Sequence, residues 1–340
     1  MESSRACRGR RAHPPRSRPL LYGALATAVV LGSTAAGTAY VKARAHSGMR
    51  PVSSTASPSP SPSASASASA AASEEASVEP AVRPTTDYDA LLASAMKAVD
   101  VPDGAEVSVA VLDLDSGSGA TYGEGAFDTA SIVKVDILAA LLLQAQDEGR
   151  ELTAAEKSYA TAMIENSDNA SASELWRTIG AAEGLNAANK RFGLTGTSGG
   201  DGMLWGLTQT TAADQLRLLR QVFGADSELS EASRTYLRGL MERIAVDQRW
   251  GVSAAADGSA WALKNGWLPR TATGLWDINS VGRVTAGGRD VLVAVLSDDN
   301  TTQARGISLV EAAAVAAVSV FVREDVSASA SVSASATVSS

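Results

Sequence analysis

The chain holds one cysteine, Cys7, and two histidines, His13 and His46, all within its first 50 residues. Everything beyond them therefore lacks an intrachain disulfide, a cysteine-rich metal site, a thiol nucleophile and a histidine base. Ser-His-Asp triads and Cys-His dyads are excluded on the same ground. A general base has to be a carboxylate, a lysine or a tyrosine. Basic charge is also scarce after the start. Of 29 Lys+Arg and 37 Asp+Glu, residues 1–86 hold 10 and 4, which leaves 19 against 33 and a net charge of −14 for the remainder. So acidic a surface argues against a nucleic-acid partner.

What is present divides into four stretches. Residues 1–50 form an arginine-rich leader with Arg5, Arg8, Arg10, Arg11, Arg16 and Arg18, followed by an uncharged run from Pro19 to Val41. This pattern reads as an export signal, with Ala43-Arg44-Ala45 as a small-residue cleavage site, or as an uncleaved membrane anchor with its arginines in the cytoplasm. Cys7 precedes the apolar run, so it is not placed to carry a lipid anchor. Residues 51–86 contain an unbroken Ser/Pro/Ala tract from Ser57 to Ser73, too poor in large apolar groups to fold, and read as a disordered linker. Residues 87–325 form the folded domain. The Ser/Ala/Val tract 326–340 reads as a disordered tail.

Within 87–325 the periodicities predict a helix over 87–99, strands at 107–111 and 120–123, then helices over 131–146, 182–190, 211–223 and 231–244. Thr153 with Glu156 and Ser171 with Glu174 fit capping boxes that start two more helices. Strands return at 261–264, 275–285 and 291–297, and an apolar helix over 308–322 ends the domain. The implied class is α+β: an antiparallel sheet assembled from N- and C-terminal segments and flanked by helices, with an all-helical lobe inserted between them. Chemistry is expected in the cleft between the lobes.

Three short elements carry that chemistry. Ser131-Ile132-Val133-Lys134 opens an apolar helix, so Lys134 falls one turn below Ser131 on the same face, within reach of its proton. Helix-terminal N–H groups stabilise an oxyanion there, and apolar surroundings lower a lysine pKa until the amine serves as base. Ser94-Ala95-Met96-Lys97 fits the same spacing but lies mid-helix before any strand. Alone, Ser131 reads equally as a helix cap and Lys134 as a side chain reaching to solvent.

Ser167-Asp168-Asn169 lies between two helices, where a serine hydroxyl can relay a proton and an asparagine amide can hold a substrate carbonyl. Its plainer reading is a polar turn capped by Asn169 or Ser171. Lys264-Asn265-Gly266 closes a strand, with Lys264 offering positive charge to a substrate carboxylate and Gly266 letting substrate backbone approach the strand edge. Asn-Gly is also a routine turn pair. Arg249, Arg270 and Arg283 are further carboxylate anchors among which the sequence does not choose. Trp205 and Trp267 adjoin these elements and are read as a platform for substrate.

In the order S-x-x-K, S-D-N, K-x-G, over roughly residues 87–323, the chain resembles the penicillin-recognising serine hydrolases, in particular the class A β-lactamase catalytic domain. The resemblance implies that Ser131 is acylated, Lys134 is its base, Ser167 and Asn169 are relay and anchor, and Lys264 and Gly266 line the opposite wall. It implies an oxyanion hole of the Ser131 and Trp267 main-chain N–H groups and a bracing role for Asp168. The substrate is then a β-lactam or a peptidoglycan stem peptide of D-alanyl-D-alanine type, with no metal and no organic cofactor. Asn265, Gly266 and Trp267 are the substrate-binding residues on this reading.

Three departures accompany the match. Asn265 stands where the family has a threonine or serine that helps bind the substrate carboxylate. The short spacing from Ser131 to Ser167 implies a trimmed helical lobe. The loop from Arg191 to Thr208 lacks the glutamate that activates the deacylating water in the class A family. Its only acid is Asp201, read either as a deacylation acid kept apolar by Met203-Leu204-Trp205 or as a turn former in a glycine-rich loop. The implied protein acylates on Ser131 and releases the acyl group slowly. An esterase and a non-catalytic cell-wall-binding or sensor domain are the competing readings.

Overall fold

The structure, a computed structural model, describes residues 86–336 other than Ser259, with side chains described as far as Val322. The leader, the Ser/Ala/Pro linker and the last four residues lie outside the described residues.

In chain order the elements are α1 (Tyr88–Met96), β1 (Glu106–Asp113), β2 (Gly119–Tyr122), β3 (Phe127–Asp128), α2 (Val133–Asp147), α3 (Ala154–Glu165), α4 (Asn169–Thr178) and α5 (Ala181–Phe192). Then follow β4 (Gln209–Thr210), α6 (Ala212–Phe223), α7 (Glu231–Met241), β5 (Trp261–Pro269), β6 (Trp276–Ala286), β7 (Arg289–Asn300) and α8 (Gln303–Ala336). The antiparallel five-stranded sheet has the order β2-β1-β7-β6-β5, so strands from the two ends of the domain meet where β1 pairs with β7. Helices α2–α7 lie between them in sequence, as expected of an inserted helical lobe.

Alternation sorts the strand residues onto two faces. Ala110, Val281, Leu292, Ala294 and Leu296 pack with α2, α4 and α6 in one core, which includes Ile137, Leu141, Trp176 and Leu219. Val109, Val111, Ile278, Val293 and Val295 face the other core, against Leu92 and Met96 of α1 and Val310, Ala313, Ala314 and Phe321 of α8. Strand β7 is covered on both faces, which is why its sequence is a continuous apolar run instead of an alternating one. Residues Gln303–Val322 of α8 are the one stretch among the described residues long and apolar enough to cross a membrane, and half of that stretch is buried in the protein.

Three local expectations are corrected. Helix α2 begins at Val133, and Ser131 sits before it in a 3-10 turn, Ala130–Ile132. Helix α4 starts at Asn169 and is capped by Asp168, whose carboxylate accepts from Ser171 N–H at 2.7 Å, so Ser171 is not the cap. Strand β5 runs to Pro269, which puts Lys264-Asn265-Gly266 in its middle and not at its end. The two-residue pair β3 and β4, too short for any periodicity, was not foreseen. Helix α8 runs from Gln303 to Ala336.

Candidate active site

The site forms where the Ala130–Ile132 turn, the end of α3 and the edge strand β5 converge. Asn279, buried in β6, donates from Nδ2 to the carbonyls of Asp128 (2.9 Å) and Thr129 (3.1 Å), while its Oδ1 accepts from Ser297 N–H of β7 (3.1 Å). The sheet thus grips the chain just ahead of Ser131. Between clamp and serine, Ala130 holds φ at +47°, a left-handed conformation that costs an alanine energy and that the surroundings have to enforce. Ser167 is the second such residue at the site, with φ +55°.

Gly266 explains how the turn comes so close to β5. A Cβ on Gly266 would stand 2.7 Å from Thr129 O, 2.8 Å from Ser131 N and 2.9 Å from Ile132 N. The glycine therefore admits the serine's own turn, where the sequence reading had it admit substrate backbone. Arg270 N–H donates to Leu275 O and Thr285 N–H to Ala260 O, so the even-numbered residues of β5 bond β6. Odd-numbered residues turn their N–H and C=O groups out from the open edge. Trp267 N–H leaves that edge directly beside Gly266.

Lys134 is the hub. Its buried Nζ lies 2.9 Å from Ser131 Oγ, 2.8 Å from Asn169 Oδ1, 2.7 Å from Ser167 O and 3.1 Å from Ser167 Oγ. Burial lowers its pKa to about 7, with the nearby Asp168 carboxylate opposing that shift. The Trp205 ring covers the amine, 4.9 Å from Nζ to the ring centroid. Lys264, also buried, donates to Ser167 Oγ at 3.0 Å and to the outward-facing Asn265 carbonyl at 2.8 Å. Burial and then the proximity of Lys134 hold Lys264 well below the ordinary lysine range. Two lysines thus share one serine hydroxyl, and none of the groups that hydrogen-bond Lys134 is a carboxylate.

Of the sequence-predicted residues, Ser131, Lys134, Ser167, Asn169, Lys264 and Gly266 are brought together. Asn265 faces elsewhere: its Nδ2 donates to Gln248 O (2.7 Å) and Trp250 O (3.0 Å), and its Oδ1 accepts from Ser280 Oγ (2.6 Å). Its side chain braces the 246–250 segment against the sheet and does not line the cleft. The Trp267 ring packs on Trp250, with centroids 6.1 Å apart. Asp201 is exposed, and so are Met203 and Leu204, so the expected apolar shelter around Asp201 is absent. The rival Ser94 and Lys97 are both exposed on or beside α1.

Arg270 is held by Asp128 and Asp277, and Arg283 by Asp290, while exposed Arg249 lies over the Trp261 ring. The clamp by Asn279 was missed, since a lone asparagine in a strand carries no sequence signal for what it holds.

Residues 149–321, just over half of the chain, match the model of the β-lactamase enzyme family. The chain belongs to that family. Among curated proteins, "Putative lipoprotein LppW" of Mycobacterium tuberculosis is 28% identical over 269 residues, covering 74% of this chain and 83% of its own length, and its Mycobacterium bovis counterpart matches equally. The β-lactamase fold is also met in solved structures. PBP-A aligns over 69% of this chain and 96% of its own at 22% identity and a TM-score of 0.60. A PBP-A variant solved as an acyl-enzyme with penicillin G gives 22% and 0.59 over 69% of this chain and 97% of its own. The TLA-1 extended-spectrum β-lactamase gives 16% and 0.60, with 69% and 98% covered.

Proposed function

We propose that this protein is an exported serine hydrolase that takes an acyl group onto Ser131 from a β-lactam or a D-alanyl-D-alanine-type peptide and releases it slowly. The observation that carries the reading is the 2.9 Å contact between Lys134 Nζ and Ser131 Oγ at a buried lysine whose pKa falls to about 7. Near neutral pH about half of the amines are uncharged, and the Ser131 hydroxyl then donates to a lone pair that takes its proton as Oγ attacks. The oxyanion is met by the main-chain N–H groups of Ser131 and Trp267. Ser167 Oγ, bonded to both lysines, passes the proton on to the leaving nitrogen as the C–N bond breaks. Asn169 anchors the substrate amide, having no partner of its own for Nδ2 among the described residues. A substrate carboxylate beside Lys264 holds that lysine protonated.

Slow release follows from the cover over Lys134. The Trp205 ring occupies it, and among the described residues no carboxylate hydrogen-bonds Ser131, Lys134 or Ser167 to activate water for hydrolysis of the ester. The acyl group then waits for another nucleophile, as in a D,D-peptidase or a penicillin-trapping protein. Export is supported by the arginine-rich start, the uncharged run from Pro19 to Val41 and the Ser/Ala/Pro tract, which together fit a domain tethered outside the membrane near the cell wall. The mycobacterial relative, named as a lipoprotein, agrees with that location.

Intact-protein mass spectrometry of the chain mixed with a fluorescent penicillin tests the reading, with Ser131→Ala and Ser94→Ala alongside. A long-lived adduct lost only in Ser131→Ala is expected. Rapid hydrolysis of a chromogenic cephalosporin would overturn slow release. No adduct at all would favour the non-catalytic wall-binding domain.

A further inference from the structure

Helix α2 buries a carboxyl that the acyl-transfer chemistry does not use. Asp136 lies two residues beyond Lys134, and the equally buried Asn189 of α5 is the amide that acts on it. None of Asp136 Oδ1, Asp136 Oδ2, Asn189 Nδ2 and Asn189 Oδ1 has a partner at hydrogen-bond geometry among the described residues. Four buried polar atoms on two neighbouring side chains are costly to leave unbonded, and the groups that can satisfy them are each other.

The proton decides how far they can. A carboxylate only accepts, so an ionised Asp136 takes a bond from Asn189 Nδ2 and leaves Asn189 Oδ1 with nothing. A neutral carboxyl completes the pair: its O–H donates to Asn189 Oδ1 while Asn189 Nδ2 donates to its carbonyl oxygen, and all four atoms are used. The surroundings favour the neutral form. Burial raises the Asp136 pKa to about 7, the Asn189 amide opposing the rise and the Asp214 carboxylate of α6 adding to it. Asp214 is engaged elsewhere, accepting from Gly196 N–H at 2.7 Å and Thr197 Oγ1 at 2.9 Å and pairing with Arg217 at 2.5 Å. The helices packed on α2 offer Asp136 no free cation among the described residues. On α3, Glu156 pairs with Arg150, Lys157 with Glu151 and Glu165 with Arg243; on α7, Arg234 and Arg238 pair with Glu231; the charged side chains of α4 and α5 are exposed.

We propose that Asp136 and Asn189 form a proton-operated latch between α2 and α5, closed while the carboxyl is neutral and open once its proton has passed to solvent. The other polar tie of α2 in this region, Gln144 Nε2 to Ile179 O at 2.9 Å, carries no titrating group. Helix α5 in turn supports the segment that holds Trp205, since Asn186 Oδ1 accepts from Gly199 N–H at 2.8 Å. An open latch therefore loosens the helix on which the cover of Lys134 leans. The folded pKa of Asp136 lies above the unfolded aspartate value of about 3.9, so the folded state keeps the extra proton in between. The stabilisation from the latch is complete below about pH 4 and is lost as pH rises to about 7.

Thermal denaturation of the full chain at pH 5 and pH 8, beside Asp136→Asn and Asp136→Leu, tests the latch. The asparagine offers Asn189 the same two bonds without a titrating proton, and the leucine offers none. At pH 5 Asp136→Asn is expected to melt within about 2 °C of the unmodified protein, with Asp136→Leu several degrees lower. At pH 8, where the unmodified protein has lost the latch, Asp136→Asn is expected to melt about 5–10 °C above it. A gap between Asp136→Asn and the unmodified protein that is the same at both pH values, or equal melting of the two variants at pH 5, would overturn the latch. If neither variant folds, hydrogen exchange of the unmodified protein decides. Protection of the α5 amides, corrected for the pH dependence of exchange itself, is expected to fall at least about tenfold from pH 5 to pH 8, and unchanged protection would overturn the proposal.

Discussion

The main-chain nitrogen of Ser131 lies 2.8 Å from the point where a Cβ on Gly266 would stand. Two segments separated by 135 residues of chain are thereby set at a distance that only a glycine permits. Gly266→Ala pushes against main-chain atoms of Thr129, Ser131 and Ile132, none of which can rotate away as a side-chain end could. The turn must leave the strand edge, carrying Ser131 from the N–H of Trp267. Penicillin acylation is expected to fall by about two orders of magnitude, with a stability loss of about 1–3 kcal/mol, as for overpacking elsewhere. Acylation kinetics and thermal denaturation measured together check this. A fall in stability with normal acylation would mean that the approach does not set the oxyanion geometry.

The pH dependence follows from the burial of Lys134. Its pKa lies near 7, and the form that accepts the Ser131 proton is the neutral one. The acylation constant is therefore expected to rise about tenfold per pH unit below 7 and to level off above it. An ordinary lysine would place that bend above pH 10. Stability has the same sign. Both buried lysines bind protons more weakly folded than unfolded, so the unfolded state holds more protons and stability rises as pH climbs from about 7 toward the ordinary lysine pKa. A flat acylation profile from pH 5 to 9 would remove Lys134 from the role of base.

Asn265 shows where reasoning by motif misplaces a side chain. Its buried amide bonds Gln248 O, Trp250 O and Ser280 Oγ. Asn265→Thr, which restores the residue usual in the family, loses both donated bonds. The expected result is a lower melting temperature by several degrees, from a loss of about 1–3 kcal/mol, with no gain in β-lactam acylation. Faster acylation in this variant would show that the position does reach substrate.

The sheet and helical lobe were legible because their signals are periodic. Valines 107, 109 and 111 alternate, the run from Val133 to Leu143 is buried on nearly every side, and Thr153 with Glu156 forms both bonds of a capping box. Ser131 and Lys134 were legible because their contact is local, spanning a single turn. What the sequence hid depends on contacts between distant segments. Asn279 clamps residues about 150 positions away, Gly266 makes room for the Thr129–Ile132 turn, and Asn265 points to a loop that no periodicity connects to it. At Asp168 the pattern of capping residues was present, but three polar candidates in a row left the choice of cap to geometry.

Trp205 offers the sharpest test of slow release. Its ring lies over Lys134, fixed by the bond from Nε1 to Ser173 Oγ, and covers the base. Replacing the indole with a methyl group opens space for several waters, each needing about 30 Å³. Lys134, already placed to accept a proton, can then draw one from water instead of from serine. Trp205→Ala is expected to shorten the lifetime of the penicillin adduct at least about tenfold, while Trp205→Phe, which keeps an aromatic cover, retains most of it. The adduct is followed by mass spectrometry after free penicillin is removed, with circular dichroism to confirm that both variants fold. If the lifetime is unchanged in Trp205→Ala, water already reaches the ester, and the missing carboxylate alone accounts for its persistence.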